Sequence, residues 1–498
     1  MRTDPSPQRL TRRSFLLTEA RIALASSLVV LLSGCTPPAT APIKTASARS
    51  SATTTGPSPI PVALSVGNQS STQQVTWLVP SDPLIDKYAK DAIAPAFQKR
   101  YPDTPVQVIT PGSNAYPEKL LTMVAGGKAP EVFTTWGGAS FFLLFNQKLL
   151  ADLTPHFQRM KLDPAFILDV LRDEYTVDGQ LYGVPWNSNP NFLVYNKTLL
   201  EKSGVPLPPT DWNDKSWTID KLLETATSLT HNTGNPSTAV WGLTMNAGAC
   251  GSLAWLWGAD PFNDQGGPND SPVYQGKPLT VVYPTRPEVV TAMTWLADLT
   301  TKHHVSPTPT DAQALSSYGN PIFSGHIAIA QEAAGWLERQ AAVVQPNFEL
   351  AIAPFPYGPA GVNTDQRQDA AWYLGQKSKH PEAGFNLIVY ASQGEGADKL
   401  IDIAKDDPPI KGDYFSRWAA NVLKIKGFAM TTEQFTAVFN GGINAGFPSP
   451  AGRIDNAPQY SDAFDQLMAP VWQGKSTARE GLEQVKAKWE AILKGVRQ

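Results

Sequence analysis

Apolar and polar positions alternate at the start of the folded part of the chain and then change to helical spacing. Val75, Trp77 and Val79 fall on one face of a predicted β-strand. Asp82 and Pro83 follow with the features of a helix start, a capping carboxylate and a proline at the first helical position. Apolar residues then recur every three or four positions through Pro95, which predicts a kink or a break in that helix.

The same succession of strand and helix continues downstream. Residues 106–108 and 131–133 have the composition of short strands, and residues 116–124 between them have helical spacing. Strand–helix–strand order is typical of a parallel sheet covered by helices, so we expect an α/β fold. Asp178 and Gly179 then predict a tight turn of a β-hairpin.

Later segments keep this pattern in shorter pieces. Residues 192–195 predict a strand, a helix follows Asn196, and another helix begins near Thr218. The clearest helix is the last one, which Thr477 and Glu480 start as a capping box. One apolar face of that helix is formed by Leu482, Val485, Trp489, Ile492 and Leu493.

The N-terminal residues have the features of an export signal. Arg12 and Arg13 stand in a sequence of the twin-arginine type, and the apolar segment that ends at residues 28–32 is too short for a membrane span of about 20 residues. Residues 32–35, Leu-Ser-Gly-Cys, are similar to a bacterial lipobox, which predicts lipidation of Cys35. The alternative is an ordinary secretory signal in which the cysteine is incidental. The export route, twin-arginine or general secretory, also stays open.

The following segment predicts a flexible tether. Residues 36–72 are rich in Ser, Thr, Ala and Pro and contain few large apolar side chains, so they bury too little surface to fold. Residues 73–498 are long enough for two lobes and contain no further run that would span a bilayer, so we expect a soluble body.

Composition excludes several classes of function. The net charge is -3, 17% of the residues are charged, and no stripe of Lys and Arg indicates nucleic-acid binding. The two cysteines, Cys35 and Cys250, cannot form a disulfide framework or a multi-cysteine metal site, and we expect Cys250 to be a small buried thiol. His303 and His304 are adjacent and point apart on a helix, which predicts a solvated helix end rather than a metal site.

Aromatic residues are abundant, with 14 Trp, 14 Tyr and 20 Phe. Rings that stack on C–H faces, together with neutral polar groups, suit a neutral polyhydroxylated ligand. For most single rings, however, a place in the core is the simpler interpretation.

An ordered set of short motifs spans nearly the whole body. These motifs are FQKRYP at residues 97–102, AGGKAPEV at 125–132, LTP at 153–155, DGQLYGVP at 178–185, YNK at 195–197, FSGHIA at 323–328 and APFP at 353–356. In this order they resemble the family 1 extracellular solute-binding proteins, the family that includes maltose-binding protein.

The resemblance implies a type II periplasmic-binding-protein fold of two α/β lobes, each a mixed sheet covered by helices, joined by a hinge with several chain crossings. We expect lobe 1 to comprise residues 73–185 plus 370–410, and lobe 2 residues 186–369 plus 411–498. The implied function is capture of a mono- or oligosaccharide outside the cell membrane and delivery to the permease of an ABC importer. A lipid anchor on Cys35, a monomeric state, no catalytic residue, no cofactor and no metal belong to the same expectation.

Two features depart from the family. Glu131 stands where the family usually has Asp, and residues 262–276 are rich in Pro, Gly and Asn and are interpreted as an insertion. The insertion makes the ligand contacts on the second lobe harder to assign.

The resemblance also places ligand contacts after particular strands. Ser81 and Asp82 follow the first strand, and Thr135 and Trp136 follow the third. Trp336 matches the stacking ring of the family best. Trp186 and Asn189 face the cleft from the predicted hinge, and the lesser candidates are Trp255, Trp257 and Trp372.

Two other functions remain open from the residues alone. An exported glycoside-processing enzyme would use two carboxylates, and 44 Asp and Glu residues supply many pairs without a signature that singles one out. A binding protein for another solute, such as a polyamine, a metal complex or a peptide, is the second alternative. A cationic ligand would require a cluster of carboxylates, but Asp82 is the single acid among the expected contacts.

Overall fold

The computed structural model describes residues 74–135, 141–235, 238–318, 320–333, 346–364, 366–448, 450–455 and 457–496. The N-terminal signal and the tether expected from the sequence lie outside these ranges.

Thirteen strands are present in the described residues. They are β1 Val75–Leu78, β2 Val106–Ile109, β3 Val132–Thr134, β4 Thr176–Val177, β5 Gln180–Leu181, β6 Val184–Asn187, β7 Asn191–Asn196, β8 Trp241–Thr244, β9 Ile327–Ala333, β10 Leu350–Ala353, β11 Gln366–Arg367, β12 Ala370–Leu374 and β13 Phe447–Pro448.

The α-helices of the same ranges lie between and after these strands. They are α1 Pro83–Asp86, α2 Ala94–Arg100, α3 Tyr116–Ala125, α4 Phe141–Asn146, α5 Thr154–Arg159, α6 Asp169–Glu174, α7 Lys197–Lys202, α8 Ile219–Leu229, α9 Pro287–Thr301, α10 Pro309–Leu315, α11 Pro381–Ser392, α12 Glu395–Lys399, α13 Tyr414–Val422, α14 Thr432–Ala445, α15 Pro450–Arg453, α16 Ala457–Trp472 and α17 Ala478–Val496.

Local chemistry explains how the first helical run begins and divides. Asp82 accepts hydrogen bonds from the backbone N–H groups of Leu84 at 2.9 Å and Ile85 at 3.3 Å, as its predicted capping role requires. A π-helical segment, Lys87–Ile93, separates α1 from α2, and Pro95 lies in the first turn of α2. Because proline cannot donate a backbone hydrogen bond, the helix type changes beside it, while the backbone stays helical at Ile93 and Ala94. The run is therefore divided into segments, as predicted, without leaving the helical conformation.

The first sheet has the strand order β2-β1-β3-β12-β6. β1 pairs with β2 and β3 in parallel, whereas β12 pairs antiparallel with both β3 and β6. Its core contains Trp77, Trp186 and Trp372, each at most 1% exposed. The carboxyl ends of β1, β2, β3 and β6 and the amino end of β12 therefore share one edge of the sheet.

The second sheet has the order β10-β7-β9-β8 and is also mixed. β7 pairs antiparallel with β9 and β10, and β8 pairs in parallel with β9. Apolar side chains of β7, β9 and β10 enter two separate hydrophobic clusters, so the sheet is covered by helices on both faces. Two mixed sheets with their own cores form the two-lobed architecture that the sequence predicted.

The hairpin and the last helix follow the sequence closely. Asp178 has φ 50° and Gly179 has φ 77° in the turn between β4 and β5, which is the left-handed geometry that a tight hairpin turn needs. Thr477 and Glu480 form the predicted capping box, with the N–H of Glu480 donating to Oγ1 of Thr477 at 3.2 Å and the N–H of Thr477 donating to the Glu480 carboxylate at 2.8 Å. Trp489 of α17 is fully buried and stacks on Phe262 at 5.0 Å between ring centroids.

No helix in the described ranges is both long enough and apolar enough for a membrane crossing.

Candidate functional site

Polar side chains follow the strands of the first sheet at a common edge. Ser81 comes after β1 and forms a parallel bridge with Gly112, which comes after β2. Thr135 follows β3, and Asn187 ends β6 opposite Ala370 at the start of β12. Ligands of open α/β sheets bind outside the carboxyl ends of the strands. We therefore expect the ligand at this edge of the first lobe and call it the ligand-facing edge.

The second sheet brings polar groups to an equivalent edge. Asn191 begins β7 opposite Ala333, the last residue of β9. The N–H of Asn246, two residues beyond β8, donates to Oε1 of Gln331 at 3.0 Å. Glu332 follows Gln331, and burial raises the pKa of its carboxyl to about 7.

The two edges meet because the chain crosses between the sheets at adjacent positions. Residues 188–190 are all that separates β6 of the first sheet from β7 of the second. The return crossing runs beside it from Arg367 to Ala370, with Pro190 and Arg367 forming an antiparallel bridge and the N–H of Gln368 donating to the carbonyl of Asn189 at 2.8 Å. A third crossing runs near Ile410, in the segment between α12 and α13. Ile410 forms an isolated antiparallel bridge with Ile167, and the N–H of Lys411 donates to the carbonyl of Phe166 at 2.7 Å.

A buried arginine holds the return crossing in place. Arg367 is 1% exposed, and its Nε donates to Asp369 at 2.7 Å while its Nη2 donates to Glu174 at 2.8 Å. A third bond runs from its Nη1 to the carbonyl of Ile443 at 2.7 Å. One guanidinium thus joins the crossing to α6 and to α14.

Arg453 of α15 completes this group, which we call the hinge ion cluster: Glu174, Arg367, Asp369 and Arg453. Its Nη2 lies 3.3 Å from Oε1 of Glu174 and 3.0 Å from the Glu174 carbonyl. Its guanidinium also lies over the rings of Phe141 and Phe142 in α4, at 5.6 and 5.0 Å. Arg453 therefore links the C-terminal region to the first lobe through both charge and ring contacts.

Burial makes the carboxylates near the hinge unusual. It raises the pKa of Glu174 to about 7, and the neighbouring Asp369 acts in the same direction, while Arg453 and Arg367 oppose both. Burial likewise raises the pKa of Asp407, beside the third crossing, with the charge of Asp406 adding to the effect. The buried carboxylates of the hinge ion cluster therefore depend on its arginines for charge compensation.

Among the expected ligand contacts, three lie at the edge of the first sheet. Ser81 and Asp82 are partly buried, and the Oδ1 of Asp82 is occupied by the cap of α1. Thr135 is partly buried, with its Oγ1 3.5 Å from Oη of Tyr373. Asn189 lies in the first crossing, where its N–H donates to Asp369 at 3.1 Å.

Three of the expected tryptophans lie inside the protein. Trp186 and Trp372 stack on each other at 5.0 Å with an interplanar angle of 19°, and Nε1 of Trp186 donates to Oγ1 of the buried Thr134 at 3.0 Å. Trp255 is 2% exposed and its ring lies 5.9 Å from that of Phe447. Core packing accounts for these rings without a ligand, and in this state they expose no face to one.

The other tryptophans fall into two groups. Trp257 is partly buried and lies 5.7 Å from the ring of Trp295. Trp136 and Trp336 lie outside the described residues. The strands that precede them, β3 and β9, end at the ligand-facing edges, so their ligand contact stays a prediction.

The hinge ion cluster is the part of the site that the sequence did not predict. Its nearest signal is the segment Gln366-Arg367-Gln368-Asp369, which is charged and polar immediately before the apolar strand β12. The partners Glu174 and Arg453 are far away in sequence, and no local pattern connects them to that segment.

Cys250 is buried, as expected, with its Sγ 3.5 Å from Oγ of Ser461. In the part of the chain that the structure describes, no group of three His, Cys, Asp or Glu side chains is arranged to hold a metal ion.

Comparison with known proteins identifies the family to which this architecture belongs. The family model of the bacterial extracellular solute-binding proteins matches residues 81–398. The sn-glycerol-3-phosphate-binding periplasmic protein UgpB of Yersinia pseudotuberculosis is 21% identical over 429 residues, which cover 81% of this chain and 89% of that protein.

Solved structures show the same fold. An ABC substrate-binding protein of Listeria monocytogenes, in complex with cycloalternan, superposes with a TM-score of 0.67 at 23% identity and covers 85% of this chain and 100% of its own. The sugar-binding protein MalE of Xanthomonas citri gives a TM-score of 0.64 at 20% identity, covering 85% of this chain and 98% of its own. Because the family model matches well over half of the residues, the chain belongs to the family of bacterial extracellular solute-binding proteins.

Proposed function

We propose that this protein is an extracytoplasmic receptor that captures a neutral carbohydrate between its two lobes and delivers it to the permease of an ABC importer. The observation that carries the proposal is the meeting of two polar strand-end edges, one from each sheet, at a hinge of adjacent chain crossings. A ligand held there touches both lobes, so binding favours the closed arrangement. The lobe limits are proposed as the sequence predicts them.

The charges at the two edges favour a neutral ligand over a phosphorylated one. Of the described edge side chains, Ser81, Thr135, Asn189 and Asn246 are neutral and Asp82 is a carboxylate. The carboxyl of Glu332 nearby is either negatively charged or protonated and neutral. A phosphate ester is bound best by free Arg or Lys groups. The two arginines near the hinge are already engaged by Glu174 and Asp369.

The same charges argue against the phosphorylated ligand named for the Yersinia relative. They support the neutral oligosaccharide class instead, to which the cycloalternan of the Listeria complex belongs. The hydroxyls of such a ligand match amide and hydroxyl side chains, and its C–H faces match the tryptophans predicted at positions 136 and 336.

Capture without chemical turnover fits the carboxylates that the structure describes. A glycoside hydrolase needs two carboxyl groups that face the substrate and exchange protons with it. Glu174 and Asp369 are a buried carboxylate pair at the hinge, and Arg367 holds both at 2.7 to 2.8 Å. We therefore propose a binding protein that acts as a monomer and needs no cofactor.

Attachment to the membrane is proposed from the sequence. A lipid on Cys35, a flexible segment at residues 36–72 and export by the twin-arginine route place the folded body at the outer face of the cell membrane. A tether of this length has a root-mean-square reach of about 35 Å, enough for the body to move between capture and a neighbouring permease.

A thermal-shift panel of sugars and phosphate esters tests the function. Ligand at 100 times its dissociation constant stabilises the folded state by about 2.7 kcal/mol. We expect a neutral mono- or oligosaccharide to raise the unfolding temperature and sn-glycerol 3-phosphate to leave it unchanged. A shift with the phosphate ester alone would reject the neutral-ligand proposal, and cleavage of the bound sugar by the purified protein would favour the enzyme.

A further inference from the structure

A second pocket lies on the first lobe, at the opposite edge of its sheet from the proposed sugar site. It has a volume of about 230 Å³ and opens beside Thr76 near the start of β1, Glu131 just before β3 and Gln376 just after β12. The sugar-facing residues Ser81 and Thr135 follow the other ends of the same strands. The two sites are therefore separated by the length of the sheet.

The lining of this pocket is strongly basic. Four lysines from three separate segments surround it: Lys128, Lys148, Lys377 and Lys379. All four are exposed, and within the ranges that the structure describes none of them forms an ion pair with a carboxylate. Like charges gathered without counter-charges cost free energy, so an anionic partner would stabilise the arrangement.

One carboxylate lies in the pocket, and it has a structural partner. Glu131 is 7% exposed, and its Oε2 accepts the backbone N–H of Thr76 at 2.9 Å. This residue is the one that departs from the aspartate usual in the family. The Glu131 side chain thus links the start of β1 to the start of β3. The pocket still contains four lysine ammonium groups and one carboxylate.

The position of the pocket indicates what its partner is. Gln74, the first described residue, precedes Thr76 of the pocket by two positions, so the predicted tether joins the body at this site. A chain anchored through Cys35 would keep the pocket at a root-mean-square distance of about 35 Å from the membrane. Lysine ammonium groups bind phosphate as compact point charges, and clusters of them next to a membrane attach to anionic headgroups.

We infer that the four-lysine pocket docks the body on the phosphate groups of anionic phospholipids. The inference rests on the proposed membrane attachment, but not on the identity of the sugar. In the docked orientation the edge of the first sheet that carries the pocket faces the lipid. The opposite edge, at the carboxyl ends of β1 and β3, faces away from it. The sugar site is then open to the surroundings for capture, and release of the pocket frees the body for the permease.

The test uses exported full-length Cys35→Ala, which has no lipid, and vesicles that contain phosphatidylglycerol or phosphatidylcholine alone. A lysine near an anionic surface contributes about fivefold to the partition coefficient. Lys128→Gln with Lys377→Gln should therefore weaken sedimentation with phosphatidylglycerol vesicles about 25-fold, and 300 mM NaCl should weaken binding of the parent. The matched control is Lys215→Gln with Lys277→Gln, two exposed lysines outside the pocket, which should stay within about twofold.

Three results would overturn the inference. They are equal binding of both variant pairs, equal binding to phosphatidylcholine, and displacement of the protein by 1 mM inorganic phosphate, which would indicate a free phosphate site. Sugar binding measured on the same samples separates the two proposals, because the lysine variants should keep the unfolding shift caused by sugar.

Discussion

Removal of Arg367 should show how strongly the hinge depends on its ion cluster. Arg367→Met keeps an unbranched apolar side chain of similar length but deletes a guanidinium that is 1% exposed. The variant loses the bonds to Asp369 at 2.7 Å, Glu174 at 2.8 Å and the Ile443 carbonyl at 2.7 Å. Glu174 then keeps its pair with Arg453, and Asp369 keeps the backbone N–H of Asn189.

The expected cost is about 3–5 kcal/mol of unfolding free energy near neutral pH, the usual loss when one partner of a buried ion pair is removed. The sign of the pH dependence follows from Glu174. Burial already raises its pKa to about 7, so its carboxyl contributes most below its ordinary pKa of 4.5, and this contribution is lost as pH rises through 7. Without Arg367 the pKa rises further, so the deficit should be larger at pH 8 than at pH 5.

Urea titrations at pH 5 and pH 8 measure both effects. Arg417→Met is a matched control, because Arg417 makes a similar 2.8 Å pair with Asp398 but its side chain is 41% exposed, and such pairs contribute at most about 1 kcal/mol. Glu174→Gln added to Arg367→Met should recover part of the loss, since it removes an unpaired buried charge. A loss below about 1 kcal/mol, or the same loss at both pH values, would refute the role assigned to the cluster.

Two further changes test other parts of the protein. Cys35→Ala should move the exported protein from membranes to the soluble fraction, and a variant that remains membrane-bound after a salt wash would contradict lipidation. Glu332→Gln should stabilise the protein at pH 8 and have little effect below pH 4.5, because burial raises the pKa of Glu332 to about 7 and the charged form destabilises the fold above that value. Urea unfolding at both pH values checks it, and a variant less stable than the parent at pH 8 would contradict it.

Much of the fold follows from local sequence. The cap at Asp82, the change of helix type before Pro95, the turn at Asp178 and the capping box at Thr477 depend on residues within four positions of each other. Hydrophobic periodicity supplied the strands and helices between them. The ordered motifs then supplied the two-lobed architecture, because the order of short segments identifies a family even where each is weak.

The site was less predictable, because it is assembled from distant segments. A tryptophan in sequence gives no sign of whether its ring faces a gap or the interior, and Trp186 and Trp372 proved to be stacked in the core. The hinge ion cluster joins Glu174 to Arg453 across 279 positions, and only the folded chain brings them together. Residues at the sheet edge, such as Thr135, were easier to predict, because a predicted strand also predicts which residue follows its end.

The proposed binding site is tested most directly by Trp336→Ala, with Trp372→Ala as its comparison. Calorimetry with the tightest sugar of the panel and thermal unfolding are measured on the same preparations. If Trp336 stacks on the ligand, its removal should weaken binding at least about thirtyfold and leave unfolding unchanged. Trp372, which is 1% exposed, should instead cost about 3–5 kcal/mol of stability. Unchanged affinity with a large loss of stability in Trp336→Ala would place that ring in the core and contradict the proposed site.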